Sequence, residues 1–334
     1  MTRTANPPEI QAKPRKRINL RQALNVNILG PIIGLILVSI LFGILEPRGF
    51  LQLGNAKNIL LEATIVAVAA IGTTPVIVSA GIDISIGATI AVVSVCVALM
   101  LNHHVPPALA AIGGVGVGAL CGLFNGGCVT VLGLNPFIVT LGTFLAFRGA
   151  ADYLSNNNIV YAPPTWINNL MQVTSHTPLV PWGVWLMLAL AALLALMLRY
   201  TRFGRHIFAI GSNEQTARLC GIPVRRAKLM IYALGGVFYG IAGILAFAYE
   251  DGAGDPTTNK NTPLTAIAAA VIGGASLTGG QGSIVGALLG ALFIQTIRVG
   301  CQELQLSIGF QQIVTGLIIL AAVLLDRVRN PPSA

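Results

Sequence analysis

The chain has 334 residues, 54% of them hydrophobic and only 9% charged, with a mean hydropathy of +0.78. Soluble domains carry about a quarter charged residues, so this composition excludes a water-facing globular protein. The net charge of +9 does not point to nucleic acid, because the basic residues sit in short segments beside apolar runs, as the positive-inside rule distributes them.

A spanning helix needs ~20 apolar residues, and short alternating strands of the barrel type are absent. The expected fold is an all-α membrane protein: a polytopic bundle of about ten transmembrane helices, some of them broken, in contact with lipid. A basic N-terminal tail at 1–27 holds Arg3, Lys13, Arg15, Lys16, Arg17 and Arg21. The membrane domain covers 28–326, with predicted spans at 28–46, 57–80, 87–101, 107–133, 136–155, 182–199, 227–249, 263–277, 282–299 and 309–326. A short tail at 327–334 carries Arg327 and Arg329. An even number of spans puts both termini on one side, read as the cytoplasm. The segment 199–228, with seven basic residues, then falls inside. The segments 156–181 and 250–262 fall outside, the first without Lys or Arg and the second with Glu250, Asp251 and Asp255 against Lys260.

Between the second and third spans stands "SAGIDISIGAT" (79–89), with Asp83 in a stretch that has no Lys or Arg from Asn58 to Phe147. Asp83 reads in two ways: as a cap accepting a backbone N–H at the next helix start, and as a carboxylate facing a polar pathway. The span at 107–133 carries Gly114, Gly118, Gly122 and Gly126, and the span at 282–299 carries Gly282, Gly286 and Gly290. Spacing by four makes a small-residue stripe that lets membrane helices approach closely. Arg148 and Asp152, four apart in the fifth span, predict an ion pair along one helix face. Tyr161, Trp166, Trp182 and Trp185 at one end of the sixth span, with Tyr200 and Phe203 at the other, suggest aromatic belts.

In the basic segment, Ser212 followed by Gln215 has the form of a capping box. It predicts a short helix from about Asn213 to Cys220, stopped by Gly221 and Pro223. That helix reads either as a surface connector or as a docking element for a cytoplasmic partner. A second glycine-rich break, "GGASLTGGQGS" (273–283), follows the eighth span. Broken helices in two halves of a chain point to a transport path. The five cysteines have no metal spacing, and there is no nucleophile–base set and no phosphate-cradling G-x-x-x-x-G-K-[ST] loop. No catalytic residue, metal or cofactor is therefore expected, and ATP-driven transport would need a second polypeptide.

Four segments resemble the permease subunits of bacterial ABC sugar importers, in the branch that includes the ribose permease. They are "GIDISIG", with Ala80 where that family usually has a first glycine; "NPFIVTLGT" (135–143), followed by Arg148 and Gly149; "TRFGRHIFAIGSNEQTARLCGIPV" (201–224); and "AIAAAVIGGASLTGGQGSIVGALLGA" (266–291). The resemblance runs from about residue 57 to the C-terminus. One departure is Thr265, where the family commonly has an acidic residue.

The resemblance implies a transport subunit, not an enzyme. It would sit in the bacterial inner membrane and import a monosaccharide or small polyol. Its partners would be a cytoplasmic ABC ATPase, a periplasmic sugar-binding protein and a second permease subunit. It implies a pathway around Asp83, Ser85, Asn135, Phe137, Thr140, Thr278 and Gln281, and an ATPase-coupling set of Arg205, Asn213, Glu214, Ala217, Arg218 and Gly221. An ion- or proton-coupled secondary transporter is the alternative reading.

Overall fold

The computed structural model describes residues 20–172 and 180–329. The tail charges Arg3, Lys13, Arg15, Lys16 and Arg17 lie outside the described residues. In chain order the helices are α1 (Leu20–Leu45), α2 (Pro47–Phe50), α3 (Leu53–Val78), α4 (Ile86–Asn102), α5 (Pro107–Thr130), α6 (Pro136–Leu154) and α7 (Trp182–Tyr200). Then follow α8 (Arg202–Ser212), α9 (Glu214–Leu219), α10 (Val224–Tyr249), α11 (Thr262–Ile272), α12 (Ile284–Glu303) and α13 (Ile308–Arg329). Two short strands, β1 (Val160–Tyr161) and β2 (Ala253–Gly254), pair antiparallel with Val160 opposite Gly254. The protein is a multi-pass all-α membrane protein. Six helices, α3, α5, α6, α7, α10 and α12, are long and apolar enough to cross a bilayer, and shorter apolar helices accompany them.

Burial divides these helices by position. The apolar window of α3 is 94% buried, against 22% for α5 and for α6. A helix apolar on every face belongs in the interior, and α3 is the central rod. The exposed apolar side chains of α5 and α6, such as Leu120, Phe124, Ile138 and Leu145, form an outer surface suited to lipid.

The glycine stripes set the closest approaches. On α5, a Cβ at Gly118 would overlap the Gly236 carbonyl of α10, and one at Gly122 would overlap the Tyr232 carbonyl. Gly114 lies against Val97 of α4 and Ile244, and Gly126 against Tyr232 and Leu229. The pairing 114 with 244 and 126 with 229 shows that α5 and α10 run antiparallel. On α12, Gly286 lies on the Gly273 carbonyl and Gly290 on that of Ala269, which clamps α11 to α12. Gly282 precedes α12 and packs on Val78 of α3.

Three features depart from the sequence reading. The predicted span at 263–277 is an 11-residue helix. At 1.5 Å per residue α11 is about 16 Å long, half a bilayer core of ~30 Å. The preceding segment is not simply an outer loop. Gly254 lies against Ser94 and Val95, midway along α4, and the Asn259 carbonyl lies against Gly87, at the start of α4. Residues 254–261 thus run down into the bundle beside α4, and the half-helix starts from there. Finally, Arg148 and Asp152 are not among the ion pairs of the described residues. Arg148 donates instead to the Thr258 carbonyl at 3.1 Å, tying α6 to the inserted segment. A backbone carbonyl in irregular structure needs a donor, and the guanidinium supplies it.

Candidate functional site

The chain offers three places where polar chemistry gathers. The first is the break between α3 and α4. Ser79 and Ala80 end α3, with Ala80 at φ +59°, and α4 restarts at Ile86. Asp83 and Ser85 are both buried. Asp83 Oδ1 accepts from the Ser85 backbone N–H at 2.8 Å and from the Ser85 hydroxyl at 2.6 Å. Asn125 of α5 donates to the Ser85 hydroxyl at 2.8 Å. The other carboxylate oxygen, Oδ2, is buried without a hydrogen-bond partner. Asp83 holds the start of α4 from two residues before the cap position, which Ser85 occupies. The Ile82 carbonyl next to it accepts from Tyr232 of α10 at 3.3 Å, with Thr140 of α6 at 3.4 Å. Three helices, α5, α6 and α10, thus close the break.

Asp83, Ser85 and Thr140 come together there; the other predicted pathway residues do not join them. Asn135 caps α6 by accepting the Phe137 N–H at 2.9 Å, and both residues are exposed. Thr278 and Gln281 are exposed in the second break, where the Ser276 and Thr278 hydroxyls pair at 2.8 Å and the Ser276 N–H donates to the Gln281 carbonyl at 3.1 Å.

The second place joins the two breaks to the basic segment. The Gly280 N–H donates to the Val78 carbonyl at 2.8 Å. Gly211, near the end of α8, packs on that carbonyl and on the Gly280 nitrogen, and Gly280 in turn lies against Ser212. Gly279 and Gly280 have φ of +89° and +75°, which a glycine adopts without strain. The short helix α9 follows at once. Its cap is Asn213, which accepts the Thr216 N–H at 2.8 Å, and not Ser212, which ends α8 and bonds back to the Phe208 carbonyl. Helix α8 extends through Ser212 because Gly204, Ile207 and Ile210 bury one of its faces. That leaves no turn for a capping box at 212.

Within α9, Glu214 pairs with Arg218 and accepts from Lys228 of α10 at 2.6 Å. Burial acts to raise the Glu214 carboxyl, but hydrogen bonds from Lys228 and Arg218 outweigh it and hold it below its ordinary value. Ala217 packs with Ile210, Val224 and Ala227, while Gly221 takes φ +80° to turn the chain into α10. Arg205 and Arg218 are exposed. Leu219 is 89% exposed, a bare leucine at the tip of the segment. Sequence reasoning passed over Leu219, although a leucine in a polar six-residue helix is itself a signal.

The third place is a cavity of about 770 Å³ at the opposite end, which carries β1 and β2. It is walled by α3, α11, α12, α13 and the inserted segment. None of the predicted pathway residues lines it. Its charged groups are Glu62, Glu250, Asp255, Lys260 and Arg298. Burial and the neighbouring Asp255 push the Glu250 carboxyl, just past the end of α10, above its ordinary value. Glu62 and Arg298 are 236 residues apart in the sequence with no local pattern, so only the fold brings them together, 3.9 Å from each other.

Comparison with known proteins adds to this geometry. A family model described as the permease component of branched-chain amino acid transport systems matches residues 55–323. The chain is 39% identical to the ribose import permease of Bacillus subtilis (strain 168), over 90% of this chain and 93% of that one. It is 37% identical to the D-allose transport system permease of Escherichia coli (strain K12), over 88% and 89%. It is 34% identical to the fructose import permease of Rhizobium meliloti, over 89% and 84%. No solved structure matches the chain.

Proposed function

The chain belongs to the family of ABC sugar-import permeases of the ribose-permease type, and on that premise we propose that it is the membrane subunit of an ATP-driven importer for a monosaccharide or related small polyol. The names of its relatives, an importer of ribose, one of allose and one of fructose, support a pentose or hexose cargo. They also support this reading over an ion- or proton-coupled carrier.

The end of the bundle with α8 and α9 faces the cytoplasm of a bacterial inner membrane. Arg199, Arg202, Arg205, Arg225 and Arg226 gather there, as expected of the inner side. Both termini share that side. A separate ABC ATPase seats α9, with Leu219 and Arg218 facing it. A periplasmic sugar-binding protein docks at the opposite end, and a second permease subunit completes the path beside Asn135 and Phe137.

The observation that carries this reading is the junction of Gly211, Val78 and Gly280. An exposed helix that a partner can grip is joined, through the end of α8, to both breaks in the bundle. Displacement of α9 passes through the Asn213 cap and the Glu214–Lys228 pair into α8 and the start of α10. It then shifts Val78–Ser85 and Thr278–Gly282 together. Asp83, Ser85 and Thr140 form the inner seal, and moving the two breaks opens it.

Leu219→Glu tests the docking step. Leu219 touches little within this chain, so the variant should melt like the wild type. Co-purification of the ATPase and ATP-dependent uptake into vesicles should both be lost. An ATPase that still co-purifies and drives uptake removes α9 as the docking element.

A further inference from the structure

We propose that the cavity at the β1–β2 end is a binding site for a neutral polyhydroxylated solute, in which Glu62 and Arg298 read a vicinal diol. This rests on the importer reading above and adds a site and a recognition chemistry to it.

The walls of the cavity are unusual for a membrane interior. Residues 254–261 enter the bundle without helical structure, beside α4. Non-helical backbone at membrane depth persists only where protein buries it or where it borders a watery cavity, and solute sites in transporters form where helices are interrupted in this way. Here the interruption is anchored from outside the cavity, by Arg148 on the Thr258 carbonyl and by the packing of Asn259 on Gly87. The segment is a fixed wall. The volume, about 770 Å³, lies in the ~300–1,000 Å³ range of small-molecule sites.

The chemistry converges on Glu62. Its backbone carbonyl accepts from the Gln295 amide at 3.1 Å, which locks α3 to α12 at this level. The Tyr249 hydroxyl approaches Oε1 at 3.5 Å. Oε2 is buried and has no hydrogen-bond partner, and the Arg298 guanidinium stands 3.9 Å from it. That separation is too long for a hydrogen bond and leaves the pair open to a bridging hydroxyl or water. Arg298 is half exposed to the cavity with donors to spare, while Glu62 is largely enclosed. A carboxylate that needs a donor, beside a guanidinium that needs an acceptor, matches two adjacent hydroxyls of one solute. One hydroxyl donates to the Glu62 carboxylate and its neighbour accepts from the guanidinium.

The remaining lining decides the charge of the solute. Three carboxylates face two cations, so an anionic sugar phosphate is repelled. Gln302 and Gln312 offer neutral amides to further hydroxyl groups, and Gln311 and Thr315, whose donors are taken by the Leu306 and Gln311 carbonyls, offer acceptor oxygens. A branched-chain amino acid, the cargo in the family description, would leave these amides facing an alkyl group, at the cost of unpaired polar groups.

The test measures binding on the full chain in lipid nanodiscs, without an ATPase. Saturation-transfer NMR is run with D-ribose, with D-sorbitol and with L-leucine as probes. Transfer is expected to at least one of the two polyols and not to leucine. Glu62→Gln, which keeps the side-chain volume, and Arg298→Gln, on a half-exposed residue, should each weaken it by roughly tenfold or more, the weight of a hydrogen bond to a charged group. The two variants check each other against misfolding, and thermal melts verify both. No transfer to either polyol in the wild type, transfer unchanged in both folded variants, or transfer to leucine overturns the proposal. ATP-dependent uptake in vesicles, measured in parallel, reports on the importer reading alone. Uptake that survives both substitutions sinks the site and spares the importer. Polyol binding without any ATP-driven uptake sinks the importer and spares the site.

Discussion

Gly211, one residue from the end of α8, rests on the carbonyl of Val78, the last residue of α3, and the Gly280 N–H donates to the same carbonyl at 2.8 Å. Three backbone segments meet at one oxygen with no side chain between them. A Cβ at position 211 has nowhere to go, because its neighbours are backbone atoms of two other segments. Gly211→Ala should therefore push α8 away from both breaks at an overpacking cost of about 1–3 kcal/mol. The expected result is a lowered melting temperature and a loss of uptake, with the ATPase still bound, because α9 itself is untouched. Gly116→Ala, where a Cβ meets nothing within 4 Å, should change neither. Wild-type uptake in Gly211→Ala would take the junction out of the mechanism.

The Glu214 carboxyl predicts a pH dependence of the same region. Burial works against its charge, yet Lys228 and Arg218 hold it below the ordinary 4.5. A carboxyl whose folded value lies below its unfolded one binds fewer protons when folded. Its stabilising contribution is complete above the unfolded value and is lost as pH falls through the folded value. Amide exchange protection in α9 should therefore stay level from neutral pH down to about 4.5 and fall below it. Glu214→Gln should flatten that acid-side loss. Protection that declines between pH 7 and 5 in the wild type would show that another group controls the order of α9.

How much of this was legible follows from the range of the interactions. The helices are readable because apolar runs and flanking charges are local signals; the central place of α3 is hinted at only by the absence of any charge from Ala63 to its end. The stripe from Gly114 to Gly126 could be seen, but not that its counterpart was Gly236 on α10. The half-helix α11 reads as a span in the sequence because "AIAAAVIGG" is apolar to its end. Only the contact of Asn259 with Gly87 shows that the chain before it has already descended into the bundle. Likewise Glu62 and Arg298 carried no motif, and their pairing depends on the packing of α3 on α12. The sequence pattern puts the cap of α9 one residue early, because the burial of Ile207 and Ile210, which prolongs α8, is a tertiary effect. Ala80, noted as a departure in the "GIDISIG" motif, takes φ +59°, the backbone region that favours glycine.

Asp83 separates a charge requirement from a hydrogen-bond requirement. Both of its bonds converge on Oδ1, from the N–H and the hydroxyl of Ser85, and Oδ2 receives none. Asp83→Asn keeps an oxygen at the Oδ1 position and changes only the atom that has no partner. The variant should insert, melt within about 1 kcal/mol of the wild type and retain uptake. Asp83→Ala strips both donors of Ser85 of their acceptor in a buried place, which costs about 1–3 kcal/mol. It should also loosen the start of α4 and the inner seal with it, so melting temperature and uptake fall together. The informative failure is an Asn variant that folds fully but does not transport. The negative charge itself would then be what the inner seal needs, and Oδ2 would find its partner only in another state of the transport cycle.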